Sequence, residues 1–514
     1  MKVVLLSIYP DIKSFGLRTL SACLKKEGHD VRLVFLPMSF TERYEKSILK
    51  EVVDISEGAG LIGISLMTNF YDNAIQVTNF IKDRLDVHVI WGGIHPTIRP
   101  KECLNFADMV CLGEGEGALL ELVKKIEQGG SYLDIENLWF RNKGKIIKNR
   151  IRPLIHDLSD IPNPDYDYVT HYTLNNGRIQ RMTESLMEKQ LGNILGNNIY
   201  GTMPTRGCPY SCTYCCNNTL NKMYSKQKSV RKKGTDSIIQ ELLDAKNRMP
   251  FIDWITFDDD AFLMCSVREI AEFSKKYKEK IGMPLYVSGV TPSTLSKEKL
   301  SMLVDAGLIQ VRMGIQSGSE SSKNLYNRSQ SNQQVLKAVK IINEFKDRIL
   351  PPKYDVILDN PWESEHDLIE TLLFFTSFPI PYRLNFYSLN FYPGTDLYRK
   401  AREEGVIVDD MEDVYRKHYK RCKQNYINSL FFMLNKYASS DQRVSLRTMT
   451  MLTSPVVKWL KMRWLLYGVC TLPLIMNRLS YLFHKIIEDI RTGNWSRIFG
   501  YINRKFLFKL QRPL

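Results

Sequence analysis

The sequence predicts an α/β chain in three parts: an N-terminal Rossmann/flavodoxin-like open sheet, a central partial (β/α)6 TIM-type barrel and a C-terminal helical region. Three observations carry this reading. Residues 1–150 alternate unbroken apolar runs with amphipathic stretches, a second series of about six such units runs from Gly201 to about Gly405, and the last hundred or so residues are helical in pattern and basic. Parallel strands covered by helices on both faces read as continuous apolar runs, because neither face meets water.

In the first part "KVVLLSIYP" is a strand and "GLRTLSACLKKEGH" a helix with a glycine stop; "DVRLVFL", "LIGISLMT", "VHVIWGG" and "ADMVCLGEGE" continue the strands. In an open sheet of this kind a ligand sits beyond the carboxyl ends of the strands. The loops there are "YPDIKSFG", "SLMTNF", "GGIHPT" and "GEGE". The run "HDLSDIPNPDYDYV", with Pro162 and Pro164, reads as an interdomain connection, and the polar stretch after it carries no clear period, so residues 151–195 are expected to be a linker. Residues 196–405 form the barrel series, including "DWITFDDDAF", "PLYVSGV", "IQVRMGIQSGS", "YDVILDNPW" and "RLNFYSLNFYPG". Its working face is the carboxyl edge of the strands, where the polar clusters fall. Residues 406–514 form the helical remainder.

The chain has 514 residues, 44% hydrophobic and 25% charged, which suits two to four globular domains with real cores. Its amino-terminal apolar run is too short for a signal peptide, so the ten cysteines are expected in a reducing compartment, where clustering points to metal or redox chemistry. The net charge is +15, and from Lys458 onward only Glu488 and Asp489 oppose eleven Lys and Arg residues. The uncharged run Trp464–Met476 is about thirteen residues long, short of the about 20 that a span requires. The basic, aromatic stretch after it suits either an interfacial helix on anionic lipid or a helical cap on the barrel.

"TRGCPYSCTYCCN" places Cys208, Cys212 and Cys215 at C-x3-C-x2-C spacing, with Cys216 directly after. Three thiolates suit a 4Fe–4S cluster, leaving one iron open to a further ligand. A zinc site usually takes four protein ligands in paired spacing, and no second C-x2-C or His pair is present. Cys216 is expected to be a non-ligand, since adjacent residues rarely reach one ion.

"RGCPYSCTYC" resembles the signature of the radical S-adenosylmethionine superfamily. "ITFDDDAF", "AGLIQVRMGIQSGSE", "DVILDNPWESEHDL" and "NFYPGTDLYRKAREEG" are similar, in order and spacing, to barrel segments of the subgroup with an N-terminal cobalamin (B12)-binding domain. The stretch "WGGIHPTIRPKECL…ADMVCLGEGEGALLEL" is similar to the later part of that domain, which would make residues 1–150 the cobalamin-binding part. The resemblance implies Cys208, Cys212 and Cys215 as cluster ligands and Tyr214 at the adenine of S-adenosylmethionine. It implies Asp258, Asp259 and Asp260 near the methionine amino group, and Gln316 and Ser317 near the ribose. Gln316 stands where Glu is usual, and "DNPWE" departs from the common G-x-P-x-E. Ser65, Thr68, Gly92 and Gly93 match loops that hold the cobalamin nucleotide tail. Where many such domains carry D-x-H-x-x-G, this chain has Asp11 to Gly16 with Lys13 at the histidine position, so cobalamin without a protein His ligand is expected.

The implied activity is radical methylation of an unactivated carbon, with the 4Fe–4S cluster, S-adenosylmethionine and cobalamin as cofactors. Alternatives are an oxidative cyclase or rearrangement enzyme using the same cofactors, and a non-catalytic cobalamin- or redox-sensing module. A methylthiotransferase is disfavoured because Cys23, Cys103 and Cys111 lack cluster spacing. The expected partners are a small-molecule or lipid-like substrate and an electron donor such as flavodoxin or ferredoxin. Nucleic acid is not favoured. The expected location is cytoplasmic, with peripheral contact at the inner face of the membrane left open.

Overall fold

The structure is a computed structural model that describes residues 1–194, 196–225, 227 and 230–459. The chain forms two compact units: residues 1–423 with 435–443, and residues 424–434 with 444 onward. The described part of the second contains the helices Leu446–Leu452, begun by a Ser445 cap, and Pro455–Trp459. The uncharged run Trp464–Met476 and the basic stretch after it lie outside the described residues.

The larger unit holds two sheets. The first has nine strands: β1 Lys2–Ser7, β2 Asp30–Phe35, β3 Leu61–Ser65, β4 His88–Gly92, β5 Met109–Cys111, β6 Leu138–Asn142, β7 Lys145–Lys148, β8 His171–Asn175 and β9 Arg178–Arg181. Their order is β7-β6-β5-β4-β3-β1-β2-β8-β9. The parallel core 2-1-3-4-5 is flavodoxin-like, with its switch point between β1 and β3. β1 is buried almost throughout, as its unbroken apolar run requires. Residues 151–195, expected as a linker, instead carry β8 and β9, which extend this sheet beyond β2. β9 is mostly exposed, and an edge hairpin of that kind has no apolar run to announce it.

The second sheet runs β10 Asn193–Ile194, β11 Asn197–Thr202, β14 Trp254–Phe257, β15 Leu285–Val290, β16 Leu308–Gln316, β17 Lys353–Leu358 and β18 Arg383–Ser388. β12 Thr205–Arg206 and β13 Arg231–Lys232 form a separate hairpin. β11 and β14 to β18 are parallel neighbours in sequence order, which is the winding of a partial (β/α)6 barrel. Three of the helices between them start at capping boxes: Ser266 with Glu269, Ser331 with Gln334 and Ser364 with Asp367. The helix-facing side of the strands is apolar; Phe257 packs on Phe273, and Tyr354 on Phe378 and Tyr382.

The chain after β18 returns to the first sheet. Leu389, Phe391, Leu397, Val414 and Tyr415 share one apolar core with β1, β3 and β4, and the Tyr415 hydroxyl donates to Glu102 at 2.9 Å. Residues 406–423 therefore pack with the body of the molecule rather than beginning a separate C-terminal region.

Arg18 secures the loop that follows β1. Fully buried between the rings of Phe35 and Tyr166, it donates to the carbonyls of Ile12, Lys13 and Asp165 at 2.7–3.1 Å. Arg18→Met would remove the Arg18 donor from three carbonyls, one of them buried and two partly buried. It is expected to cost about 3 kcal/mol, read as a lowered denaturation midpoint under argon.

Candidate functional site

The cysteine loop is fastened at both ends by backbone pairing and by side chains from elsewhere. β11 enters it, the β12–β13 hairpin flanks it, and Gly207 turns it at φ 89°, a left-handed angle that suits glycine. Asn221 Nδ2 donates to the Cys208 carbonyl at 2.7 Å, and Asn327 Nδ2 to the Ser211 carbonyl at 3.0 Å. Thr213 donates through its backbone N–H to Tyr326 and through Oγ1 to Leu325. Cys215 is the N-cap of the helix Cys216–Met223, where the helix dipole favours a thiolate.

Cys208, Cys212, Cys215 and Cys216 are all free thiols. Burial pushes Cys208 up to about 12, and the Cys216 thiol beside it, together with burial, raises Cys215. Such thiols hold their protons at neutral pH unless a metal displaces them. Among the described residues, the His/Cys/Asp/Glu group with ligand atoms all within 4.8 Å of one another is His366, Asp367 and Glu370, so the cysteines are spaced more widely than the ligands of one ion. A soft, spread trio of this kind fits a 4Fe–4S cluster better than zinc.

Arg328, unremarked in the sequence, reaches this loop. It donates to the Gly314 carbonyl at 2.6 Å and to Tyr214 Oη at 3.3 Å, and lies 3.9 Å from Cys212 Sγ. Tyr214 packs edge-on against Tyr326, 5.2 Å between centroids.

The three acids after β14 diverge. Asp258 Oδ2 pairs with Lys13 Nζ at 3.1 Å. Asp259 is buried and accepts from the Thr205 backbone N–H at 2.6 Å, Thr205 Oγ1 at 2.5 Å and the Ala261 N–H at 2.7 Å; burial pushes it up to about 6. Both its oxygens serve the protein, tying β14 to the strand before the cysteines. Asp260 accepts from Asn217 Nδ2 at 2.9 Å and faces the main cavity. Of the three acids, Asp260 lines the cavity, whereas Asp258 and Asp259 do not. Gln316 ends β16 at φ 74°, beside an irregularity in its pairing with β17. Ser317 is turned inward, its Oγ 2.9 Å from Thr371 Oγ1 and accepting from the Ser319 N–H at 3.1 Å. Its hydroxyl is engaged inside the barrel wall rather than at an open edge.

A cavity of about 510 Å³ joins the two halves of this unit. Its deep end lies between the first sheet and two helices, lined by Leu5, Leu17, Leu20, Gly63, Ile90 and Leu119. Its other end reaches Thr202, Met203, Gly207, Asn217 and Asp260, next to the cysteines. Ser65, Gly92 and Gly93 line it, and Ser65 Oγ lies 2.9 Å from Tyr9 Oη. Gly16 borders it too, and a Cβ there would meet nothing within 4 Å. This apolar, glycine-edged end of the cavity is compatible with part of a bound cobalamin. Thr68 does not line the cavity; its Oγ1 lies 3.2 Å from Nδ1 of the buried His95.

Four charged side chains from both halves close one wall. Arg206 donates to Glu114 at 3.1 Å and Glu116 at 2.7 Å, while Arg231 donates to Glu114 and to the Ile155 carbonyl, each at 2.8 Å. Burial would raise Glu114, but the two guanidinium groups and the Ile155 N–H outweigh it and hold the carboxyl below its usual range. "TRG" and "GEGE" are visible in the sequence, yet nothing in one sequence pairs residues 92 apart.

Residues 1–123 match the B12 binding domain family, and residues 202–375 match the Radical SAM superfamily. The chain is 26% identical over 393 residues to the Pyrococcus horikoshii protein named uncharacterized methyltransferase PH0819, covering 75% of this chain and 78% of that one. It is 22% identical over 331 residues to the anaerobic magnesium-protoporphyrin IX monomethyl ester cyclase of Cereibacter sphaeroides, covering 62% of this chain and 49% of the cyclase. The fold superimposes on the radical S-adenosylmethionine methyltransferase TsrM of Kitasatospora setae, solved with tryptophan and a S-adenosylmethionine analogue, with a TM-score of 0.62 and 16% identity over 78% of this chain and 76% of that one. Fold and site together define a radical S-adenosylmethionine enzyme. More narrowly, the chain carries a B12-binding domain ahead of its Radical SAM domain.

Two outcomes follow. Cys208→Ala, Cys212→Ala and Cys215→Ala should each lose iron and the cluster's visible absorption after anaerobic reconstitution, whereas Cys216→Ala should keep both. Arg206→Leu should cost about 3 kcal/mol, because it strands Glu116 and half of the Glu114 pairing in the interior; chemical denaturation of the reconstituted protein measures it.

Proposed function

We propose that this chain is a C-methyltransferase acting on an unactivated carbon of a small molecule, with Cys208, Cys212 and Cys215 as the cluster ligands. The observation that carries this reading is the single cavity running from the carboxyl edge of the B12-binding sheet to the cysteine loop. A chamber lined by both halves suits chemistry in which both cofactors serve one substrate. The methyltransferase names of the Pyrococcus protein and TsrM support it.

Bound in these places, the cluster with S-adenosylmethionine supplies one-electron hydrogen abstraction, and cobalamin supplies the methyl group. The protein's own residues do the positioning. Cys215 stands at a helix start, and the Arg328 guanidinium lies 3.9 Å from Cys212 Sγ. Asp260 and Asn217 offer a carboxylate and an amide at the cavity wall, suited to the amino and carboxylate groups of S-adenosylmethionine. Tyr214 would border the adenine, and Gln316, at the end of β16, would serve the ribose. Ser65, Gly92, Gly93 and the apolar slot hold the nucleotide tail and exclude water. Lys13 is occupied by Asp258, so the loop after β1 presents no imidazole and no free amine to a metal. A low-potential electron donor of flavodoxin or ferredoxin type completes the system. Among the described residues no helix is long and apolar enough to cross a membrane.

The cyclase relative favours a second reading, oxidative cyclisation with the same cofactors. Methyl-deuterated S-adenosylmethionine separates the two. Anaerobic turnover of the reconstituted enzyme with cobalamin and reductant should yield both 5′-deoxyadenosine and S-adenosylhomocysteine, with label in the product. Formation of 5′-deoxyadenosine without S-adenosylhomocysteine would establish the cyclase reading instead. Formation of neither would point to a non-catalytic module.

A further inference from the structure

A closed barrel fills its interior with apolar side chains. The concave face of this partial barrel is polar. Arg312 on β16, Lys353 and Asp355 on β17, and Arg383, Asn385 and Tyr387 on β18 are all partly exposed on it. Their mutual contacts place them together: Arg312 Nε donates to both Asp355 oxygens at 2.9 Å, Arg312 Nη2 to Tyr387 Oη at 2.8 Å, and Asn385 Nδ2 to Asp355 at 2.9 Å. Arg312, Lys353 and Arg383 are register partners, so three cations form one row across three strands.

Among the described residues, Asp355 is the carboxylate that pairs with this row. Lys353 and Arg383 have no ion pair there; the Lys353 ammonium lies 4.9 Å over the Tyr286 ring. Burial, followed by the Arg383 and Arg312 cations, holds Lys353 below its usual range, as expected of neighbouring cations with too few anions. Among the described residues, Arg312 donates through Nε and Nη2 but not through Nη1. Positive charge in excess, on a concave wall too polar for a core, lacks a structural purpose of its own. Tyr419, stacked on Tyr387 with 6.2 Å between centroids, overlies one end of it.

We infer that the row Arg312–Lys353–Arg383 is the substrate's anchor, and that the substrate carries an oxyanion, a carboxylate or a phosphate. The row lies four residues before Gln316, so the anchored group would sit about 13 Å from the barrel's carboxyl edge at ~3.3 Å per residue. A guanidinium and an ammonium side by side match the geometry of such a group. This deepens the functional reading above and rests on it, since it takes that edge as the place of reaction.

The probes are inorganic phosphate and malonate, titrated calorimetrically into the anaerobically reconstituted enzyme at constant chloride ionic strength. Both should bind saturably, and the double variant Lys353→Gln/Arg383→Gln should weaken each by about tenfold or more. That variant leaves the Arg312–Asp355 pair intact, and its iron and cobalamin content reports whether it has folded. No saturable binding by the intact enzyme, or equal binding by the folded double variant, would overturn the inference. Formation of 5′-deoxyadenosine by the intact enzyme is scored separately: its absence condemns the radical reading, whereas its presence without charge-dependent anion binding condemns only the anchor.

Discussion

The geometry of the site depends on a few charges buried between two sheets. Glu114 and Glu116 lie just after β5; Arg206 lies two residues before the first cysteine, and Arg231 pairs with it across the β12–β13 hairpin. A salt-bridge network in the interior gives little net stability, because desolvation offsets most of the attraction, but removing one member is costly. Its effect is specificity of placement. The glycine-rich loop of the first sheet and the cysteine loop of the second are held in one register, so the cavity between them has a defined shape. The Lys13–Asp258 pair repeats the device between the β1 loop and β14.

The two sheets use opposite economies of side chain. The first buries both faces of β1, and the cavity beside it is lined by glycines and apolar side chains with one charged wall, which suits a bulky, mostly apolar ligand. The second buries its helix-facing side with aromatic residues and leaves its concave side charged. A ligand reaching both surfaces must therefore have chemically distinct ends. The chain after β18 packs Leu397 and Tyr415 into the first sheet's core and so ties the barrel's last strand to that sheet.

Much of this was legible in the sequence, and the failures have physical causes. Strands β1 to β5 and the barrel strands declare themselves because burial on one or both faces demands apolar runs. β8 and β9 do not, since an edge hairpin with an exposed outer strand needs no such run. The cysteines are legible because ligand chemistry constrains their spacing along the chain. Asp258 to Asp260 show the limit of that logic. Residue type was informative, but three consecutive residues leaving a strand point three ways, and direction is set by partners far away in sequence: Lys13, Thr205 and Asn217. Arg206 and Arg328 went unremarked for the same reason, as each acts on groups brought to it only by folding.

The cysteine loop shows how the fold prepares a metal site without spending the metal's ligands. None of its thiols is in a disulfide, and the loop is held by groups other than those thiols: Asn221 and Asn327 on its carbonyls, Thr213 on the turn at Leu325 and Tyr326, and Asp259 on Thr205 at its entry. A loop that needed its cysteines for its own shape would have to rearrange to bind iron. Here the backbone course is set by amides and carboxylates that remain in place whether or not a cluster is bound. The cost of ordering the loop is met by folding, and the free energy of thiolate–iron bonding can go almost entirely into affinity. That is the physical sense in which the site is preorganised, and it explains why the groups around the cysteines are as specific as the cysteines themselves.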